Sequence, residues 1–119
     1  MKINILGTDY KITKKKYTED EYFKKNTDTA GYCDGTLCEI VYCDMSTYPD
    51  WENDPLASIA SMEKQMLRHE IIHAFLNESG LQDNSLVCNG AWARNEEMVD
   101  WMAIQFPKIL EAFKSAQCL

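Results

Sequence analysis

From Leu56 to Ser79 the chain contains neither proline nor glycine, while Pro55 stands immediately before this stretch and Gly80 immediately after it. Such a run predicts one long helix: Asp54 is a good N-cap, Pro55 suits the first helical position and Gly80 suits the left-handed stop. At 1.5 Å per residue it would be roughly 35 Å long, about the width of a small domain, so the remaining elements must be laid against it. Leu67, Ile71, Ala74 and Phe75 recur at three- and four-residue steps and define the apolar stripe. His69 and His73 then fall on a different face.

The elements before this helix read as strands and turns. Lys2 to Thr13 alternates apolar and polar residues around Gly7-Thr8-Asp9, with Ile3 and Ile5 before the turn and Tyr10 and Ile12 after it, which predicts a β-hairpin. Thr18 followed by Glu21 matches a capping box for a short helix that packs Tyr22 and Phe23 and ends near Asn26. Thr29 to Asp44 contains a break at Gly31, a turn at Asp34-Gly35 and the β-prone run Leu37 to Tyr42, which predicts a third strand or a second hairpin. Ser46 to Asp54 reads as a loop. Beyond Gly80, a polar loop with an Asn89-Gly90 turn leads to a helix over Ala91 to Phe106, kinked at Pro107 and continuing to about Ala116. The expectation is one α+β domain over residues 1–119, a small antiparallel N-terminal sheet packed on two long helices.

Composition narrows the function. The 119 residues carry a net charge of −7, which argues against a general nucleic-acid binder, since affinity for a polyanion comes mainly from Lys and Arg. The charge is uneven: residues 1–25 hold seven lysines against four acids, and the acidic excess lies in the rest. Lys14-Lys15-Lys16 and Lys24-Lys25 offer contact to an acidic partner or, the plainer reading, a solvated face that guards a sheet edge. The five cysteines include no CxxC pair, and they read as reduced thiols. With no long apolar run and no secretory leader in Met-Lys-Ile-Asn-Ile, the expectation is a cytoplasmic protein without a membrane span.

Within the long helix lies His69-Glu70-Ile71-Ile72-His73, which holds the only two histidines of the chain. Residues four apart on a helix sit one turn apart on one face, so two imidazole nitrogens can bind one zinc ion. The glutamate beside the first histidine can then reach a water on that ion. A hydrolytic zinc site takes three protein ligands and keeps a fourth position for water. With no third histidine, the third ligand is a carboxylate or a thiolate. On the next helix Glu96 and Asp100 are four apart and share a face, so one can bind the ion while the other holds a ligating imidazole. The adjacent Glu97 leaves the register open by one residue, and Cys88 is a weaker candidate. Met98, Trp101 and Met102 are expected to face the core.

His69-Glu70-Ile71-Ile72-His73 followed by Asn95-Glu96-x-x-x-Asp100 resembles the gluzincins, the thermolysin-like zinc metallopeptidases. The resemblance implies that His69, His73 and Glu96 bind zinc, that Glu70 is the general base and that Asp100 orients a ligand. In size and element order the chain is similar to the minimal zincins of phages and mobile elements, including the ImmA/IrrE-like peptidases. The match covers His69 to Asp100. The Glu-x-Glu-Ala pattern associated with ImmA/IrrE-like members is absent, and no histidine follows the third ligand to steady an oxyanion. Tyr42, Tyr48 and Arg94 are the candidates for that task.

These readings give a zinc-dependent peptidase acting on a peptide or protein substrate. Glu39 to Cys43 is the candidate sheet edge along which substrate would lie, and Trp51, Trp92 and Trp101 are candidates for lining an apolar cleft. Two other classes compete: a non-catalytic, zinc-stabilised binding or regulatory protein, in which a fourth protein ligand excludes water, and a metal-free helical interaction module. The sequence sets no oligomeric state.

Overall fold

A computed structural model describes residues 1–81 and 94–119. The chain forms β1 (Lys2–Ile5), β2 (Thr8–Lys16), α1 (Glu21–Lys25), β3 (Gly31–Asp34), β4 (Glu39–Asp44), α2 (Leu56–Glu78) and α3 (Glu96–Ser115), with short 3-10 turns at Tyr17–Glu19 and Met45–Thr47. Among the described residues no helix is long and apolar enough to cross a membrane.

The first hairpin forms as expected, but its two-residue turn is Leu6-Gly7, at φ of 49° and 100°, so Thr8 and Asp9 belong to β2. Positive φ at both turn positions matches the twist of a hairpin, and Asn4 steadies the turn by accepting from the Gly7 amide at 3.0 Å. The short helix is capped by Asp20 and not by Thr18, which lies in the preceding 3-10 turn. Asp20 accepts the Tyr22 amide at 2.8 Å, and its other oxygen takes the Lys15 ammonium and the Tyr32 hydroxyl, both at 2.8 Å. A carboxylate held from three directions outcompetes a hydroxyl as the cap.

The sheet order is β1-β2-β4-β3, and the sheet is mixed where an antiparallel one was expected. β1 and β2 pair antiparallel, as do β3 and β4, but β2 and β4 run parallel with Ile12 opposite Ile40. Parallel neighbours need a long crossover, and the segment from 17 to 38, carrying α1 and β3, supplies it. β4 is therefore an interior strand, so Glu39 to Cys43 is not an edge. Among the described residues the edge strand on this side is β3.

Alternation along β4 divides the core. Ile40 packs with Ile5, Tyr10, Ile12 and Ala74, against which Leu67 and Ile71 of α2 also lie. Val41 and Cys43 join Phe23 of α1, Met45 and Ile59. The apolar stripe of α2 thus faces the sheet as expected, except that Phe75 is 41% exposed. Pro55 occupies the cap position itself, one residue later than expected for the cap. The helix stops at Gly80, at φ 71°, where the Leu81 amide reaches back to the Leu76 carbonyl at 3.1 Å.

α3 packs on α2 through Val99 and Ala103, both fully buried, with Leu76, Ile72 and Met98 alongside. Trp101, expected in the core, is 57% exposed. Small residues four apart let the helices approach closely, and Arg68 of α2 uses that proximity to donate to the Ala103 carbonyl at 2.6 Å. Pro107 lies inside α3 without ending it. In a helix the carbonyl of residue 103 accepts from the amide of residue 107, and proline has none. Arg68 replaces that donor. The Asn89-Gly90 turn, Cys88, Trp92 and the expected helical start at Ala91 lie outside the described residues.

Candidate metal centre

The site is built where the polar face of α2 meets the first turn of α3. One turn of α2 carries His69 and His73 on the same side, with ring centroids 4.7 Å apart. α3 begins at Glu96 because Asn95 caps it: the Asn95 side-chain oxygen accepts the Met98 amide at 2.8 Å. Capping at Asn95 puts Glu96 in the first helical position and Asp100 one turn later, both toward the histidines.

His69 Nδ1 lies 2.7 Å from Asp100 Oδ1. A carboxylate only accepts, so Nδ1 carries the proton, and Nε2 is the nitrogen that would face a metal ion. The other edge of the site is a triangle of donor atoms. His69 Nε2 and His73 Nε2 are 3.0 Å apart, and Glu96 Oε2 is 3.1 Å from the first and 3.4 Å from the second. Ligands at about 2.0–2.1 Å on a tetrahedral ion are separated by about 3.3–3.4 Å, so the spacing suits three donors converging on one metal. His69, Glu70 and His73 also each bring a donor atom within 4.8 Å of the others, a group that can hold a metal ion. Both imidazoles are nearly buried, at 13% and 14% side-chain exposure, whereas Glu96 is 67% and Asp100 50% exposed.

Glu70 is 5% exposed. Its carboxyl is pushed up to about 8 by burial first and then by the neighbouring Glu96 and Asp100 carboxylates. A dication among these groups acts in the opposite sense, favouring the ionised form. The His73 imidazole is pulled below the usual histidine range, chiefly by burial, which favours the neutral form that binds metals. Burial pushes the Cys33 thiol up to about 12, helped by the nearby Glu70.

These groups open onto a cavity of about 550 Å³ between α2, α3 and the start of β3. Asp28, Glu70, Glu96 and Asp100 line it together with Arg94, an acidic excess that attracts cations. Of the three oxyanion candidates only Arg94 lines this cavity. Tyr42 is partly buried against the cluster of Ile5, Tyr10, Ile12, Ile40 and Ala74, and the Tyr48 hydroxyl donates to the Thr27 carbonyl with its ring against Tyr17. Tyr22 and Tyr32, whose rings meet at a tilt with centroids 4.6 Å apart, line the cavity and were missed by sequence reasoning, as was Gly31. Nothing in their spacing singles out the tyrosines; they reach the cavity through the crossover that brings β3 to the sheet edge. Trp51 lies by a separate groove with Met62, so it does not line this cleft. No protein-family model, curated protein or solved structure gives a significant match to the chain.

Proposed function

We propose that the protein is a zinc-dependent peptidase of the gluzincin kind, with His69, His73 and Glu96 as ligands, Glu70 as general base and Asp100 as the group that orients His69. The observation that carries this reading is the triangle of His69 Nε2, His73 Nε2 and Glu96 Oε2, with edges of 3.0, 3.1 and 3.4 Å, beside a buried glutamate in a cavity. The donor set of two imidazoles and one carboxylate is the nitrogen and oxygen chemistry zinc takes, and three protein donors leave room for a water.

Zinc supplies Lewis acidity, acidifying water to near neutrality and polarising a carbonyl. Asp100 holds the proton on His69 Nδ1 and so keeps Nε2 directed at the metal position. Glu70 takes the proton from the attacking water and delivers it to the leaving amine. Arg94, at the wall of the same cavity, is the cationic group suited to the oxyanion. The substrate backbone lies along the edge strand β3, whose Gly31, Tyr32 and Cys33 line the cavity; this replaces β4, which has strands on both sides.

The test is elemental analysis paired with activity on a fluorogenic peptide mixture. Wild-type protein is expected to hold about one zinc per chain, and His69→Ala or His73→Ala to lose most of it. Glu70→Gln should keep the zinc and lose hydrolysis, because the amide cannot accept the proton. Full activity in Glu70→Gln rejects the mechanism. A wild type that binds zinc and cuts nothing, while hydrolysis stays absent after chelation and reloading, assigns the chain to the zinc-stabilised binders.

A further inference from the structure

The geometry points to Gly31 as a positioning residue for Glu70: the space left by its absent Cβ is where the glutamate side chain rests. Gly31 opens the edge strand β3, is buried, and pairs with Tyr42 of β4. Its φ is not in the left-handed region, so its backbone is one that any residue adopts. Glycine inside a strand is weaker than almost any residue with a side chain, because it is the most flexible in the unfolded chain and packs nothing. Conformation therefore gives no reason for glycine here, and packing gives one.

A Cβ on residue 31 would stand 2.8 Å from Glu70 Oε1, 3.0 Å from its Cγ and 3.2 Å from its Cδ. All three nearest heavy atoms belong to this one side chain. Glu70 is anchored in the middle of α2 and is 5% exposed, so it cannot swing into solvent without leaving its pocket. A methyl group on β3 would be met by rotation of the glutamate, since the strand is held by its ladder and the carboxylate is the free end. A general base must sit within hydrogen-bond reach of the water it deprotonates, and a misplacement of about 1 Å can cost about a hundredfold in rate. Cys33 lies two residues on, on the same face of β3 and in the same cavity wall. The consequence for hydrolysis rests on the peptidase reading above; the placement of the carboxylate does not.

The experiment uses the zinc-loaded full chain and compares wild type, Gly31→Ala, Glu70→Asp and the double variant. Carboxyl footprinting with a carbodiimide and glycine ethyl ester, mapped by mass spectrometry, reads where the side chain is. Wild-type Glu70 should be shielded relative to the exposed Glu52, and Gly31→Ala should raise its labelling several-fold. In the double variant the shorter side chain ends one methylene earlier, so shielding should return. On one fluorogenic peptide that the wild type cuts, Gly31→Ala should lower kcat by about a hundredfold with KM within about twofold and zinc content unchanged. Unchanged labelling of Glu70 in Gly31→Ala, or a drop in zinc content equal to the drop in rate, overturns the inference. If Gly31→Ala fails to fold, folding restored in the Glu70→Asp background supports it, and failure in both backgrounds overturns it. If wild type cuts nothing yet the labelling shifts as stated, the peptidase reading falls and the positioning stands.

Discussion

The contact between Arg68 and the Ala103 carbonyl gives a test of how α3 is held against the site. Replacing Arg68 by Met keeps most of the apolar stem and removes the guanidinium. The Ala103 carbonyl then has no donor, because Arg68 Nε at 2.6 Å stands in for the amide that Pro107 lacks. Ala103 is fully buried, so water cannot readily take over. A hydrogen bond from a charged donor contributes about 1.5–3 kcal/mol, and a buried carbonyl left alone costs about 1–3 kcal/mol, so Arg68→Met should cost about 2 kcal/mol. Pro107→Ala restores the backbone donor and removes a residue that disfavours helix interiors. In that background Arg68→Met should cost less than about 1 kcal/mol, and the coupling between the two sites should exceed about 1 kcal/mol. Urea unfolding of the four proteins measures it. Equal costs of Arg68→Met in both backgrounds would refute the reasoning, since the arginine would then act through something other than the missing amide.

The other expectations concern the metal and acid stability. Structural four-ligand zinc sites bind with about 10–16 kcal/mol, about 2.5–4 kcal/mol per ligand, so Glu96→Ala should weaken zinc by about a hundredfold or more and Glu97→Ala by less than about threefold, read by competition with a chelating dye. A larger loss in Glu97→Ala would move the register by one residue. Asp100→Asn keeps an acceptor 2.7 Å from His69 Nδ1 but loses its charge; at half exposure it should weaken zinc by about tenfold, the low end for such a partner. Burial works to raise the Asp20 carboxyl, but Lys15, the Tyr32 hydroxyl and the Tyr22 amide outweigh it and hold it below the usual carboxylate range. A depressed folded-state value stabilises above the unfolded pKa of about 3.9 and is lost as pH falls through the folded one, so wild type should lose more stability than Asp20→Asn between pH 5 and pH 2 in urea unfolding series.

Residues that act through local spacing were legible in the sequence. The proline- and glycine-free run forms α2, and the four-residue steps that join His69 to His73 and Glu96 to Asp100 survive in the structure because the helix itself enforces them. What pairs across the chain was not legible. Alternation predicts that β4 is a strand but carries no record of its neighbours, so the parallel pairing with β2 and the edge position of β3 follow only from the crossover. Trp101 was misplaced for a related reason: hydrophobicity favours burying it, but close approach of two helices favours Val99 and Ala103, and their spacing turns the tryptophan outward. Gly31 read as a break in the strand because a single sequence cannot distinguish a glycine required by φ from one required by a neighbour 39 residues away.

The division of α2 explains how so small a domain holds a polar centre against its core. Ala74 and the partly buried Leu67 and Ile71 supply the sheet-facing contacts, and Leu76 packs with Val99. His69, Glu70 and His73 lie between these two apolar contacts, which is why the imidazoles are nearly buried while remaining polar. The nearly buried imidazoles need partners, and α3 supplies them from one turn: Asp100 for His69 Nδ1, and Glu96 beside both Nε2 atoms. Arg68 fixes the next turn of α3 through Ala103. The histidines are thus held from one side by their own helix and from the other by a helix whose position depends on an arginine next to the first of them. Loosening α3 at Arg68 should therefore reach the metal through Asp100 and Glu96, although Arg68 touches neither ligand face, and a fall in zinc affinity in Arg68→Met that Pro107→Ala reverses would separate this route from a direct electrostatic one.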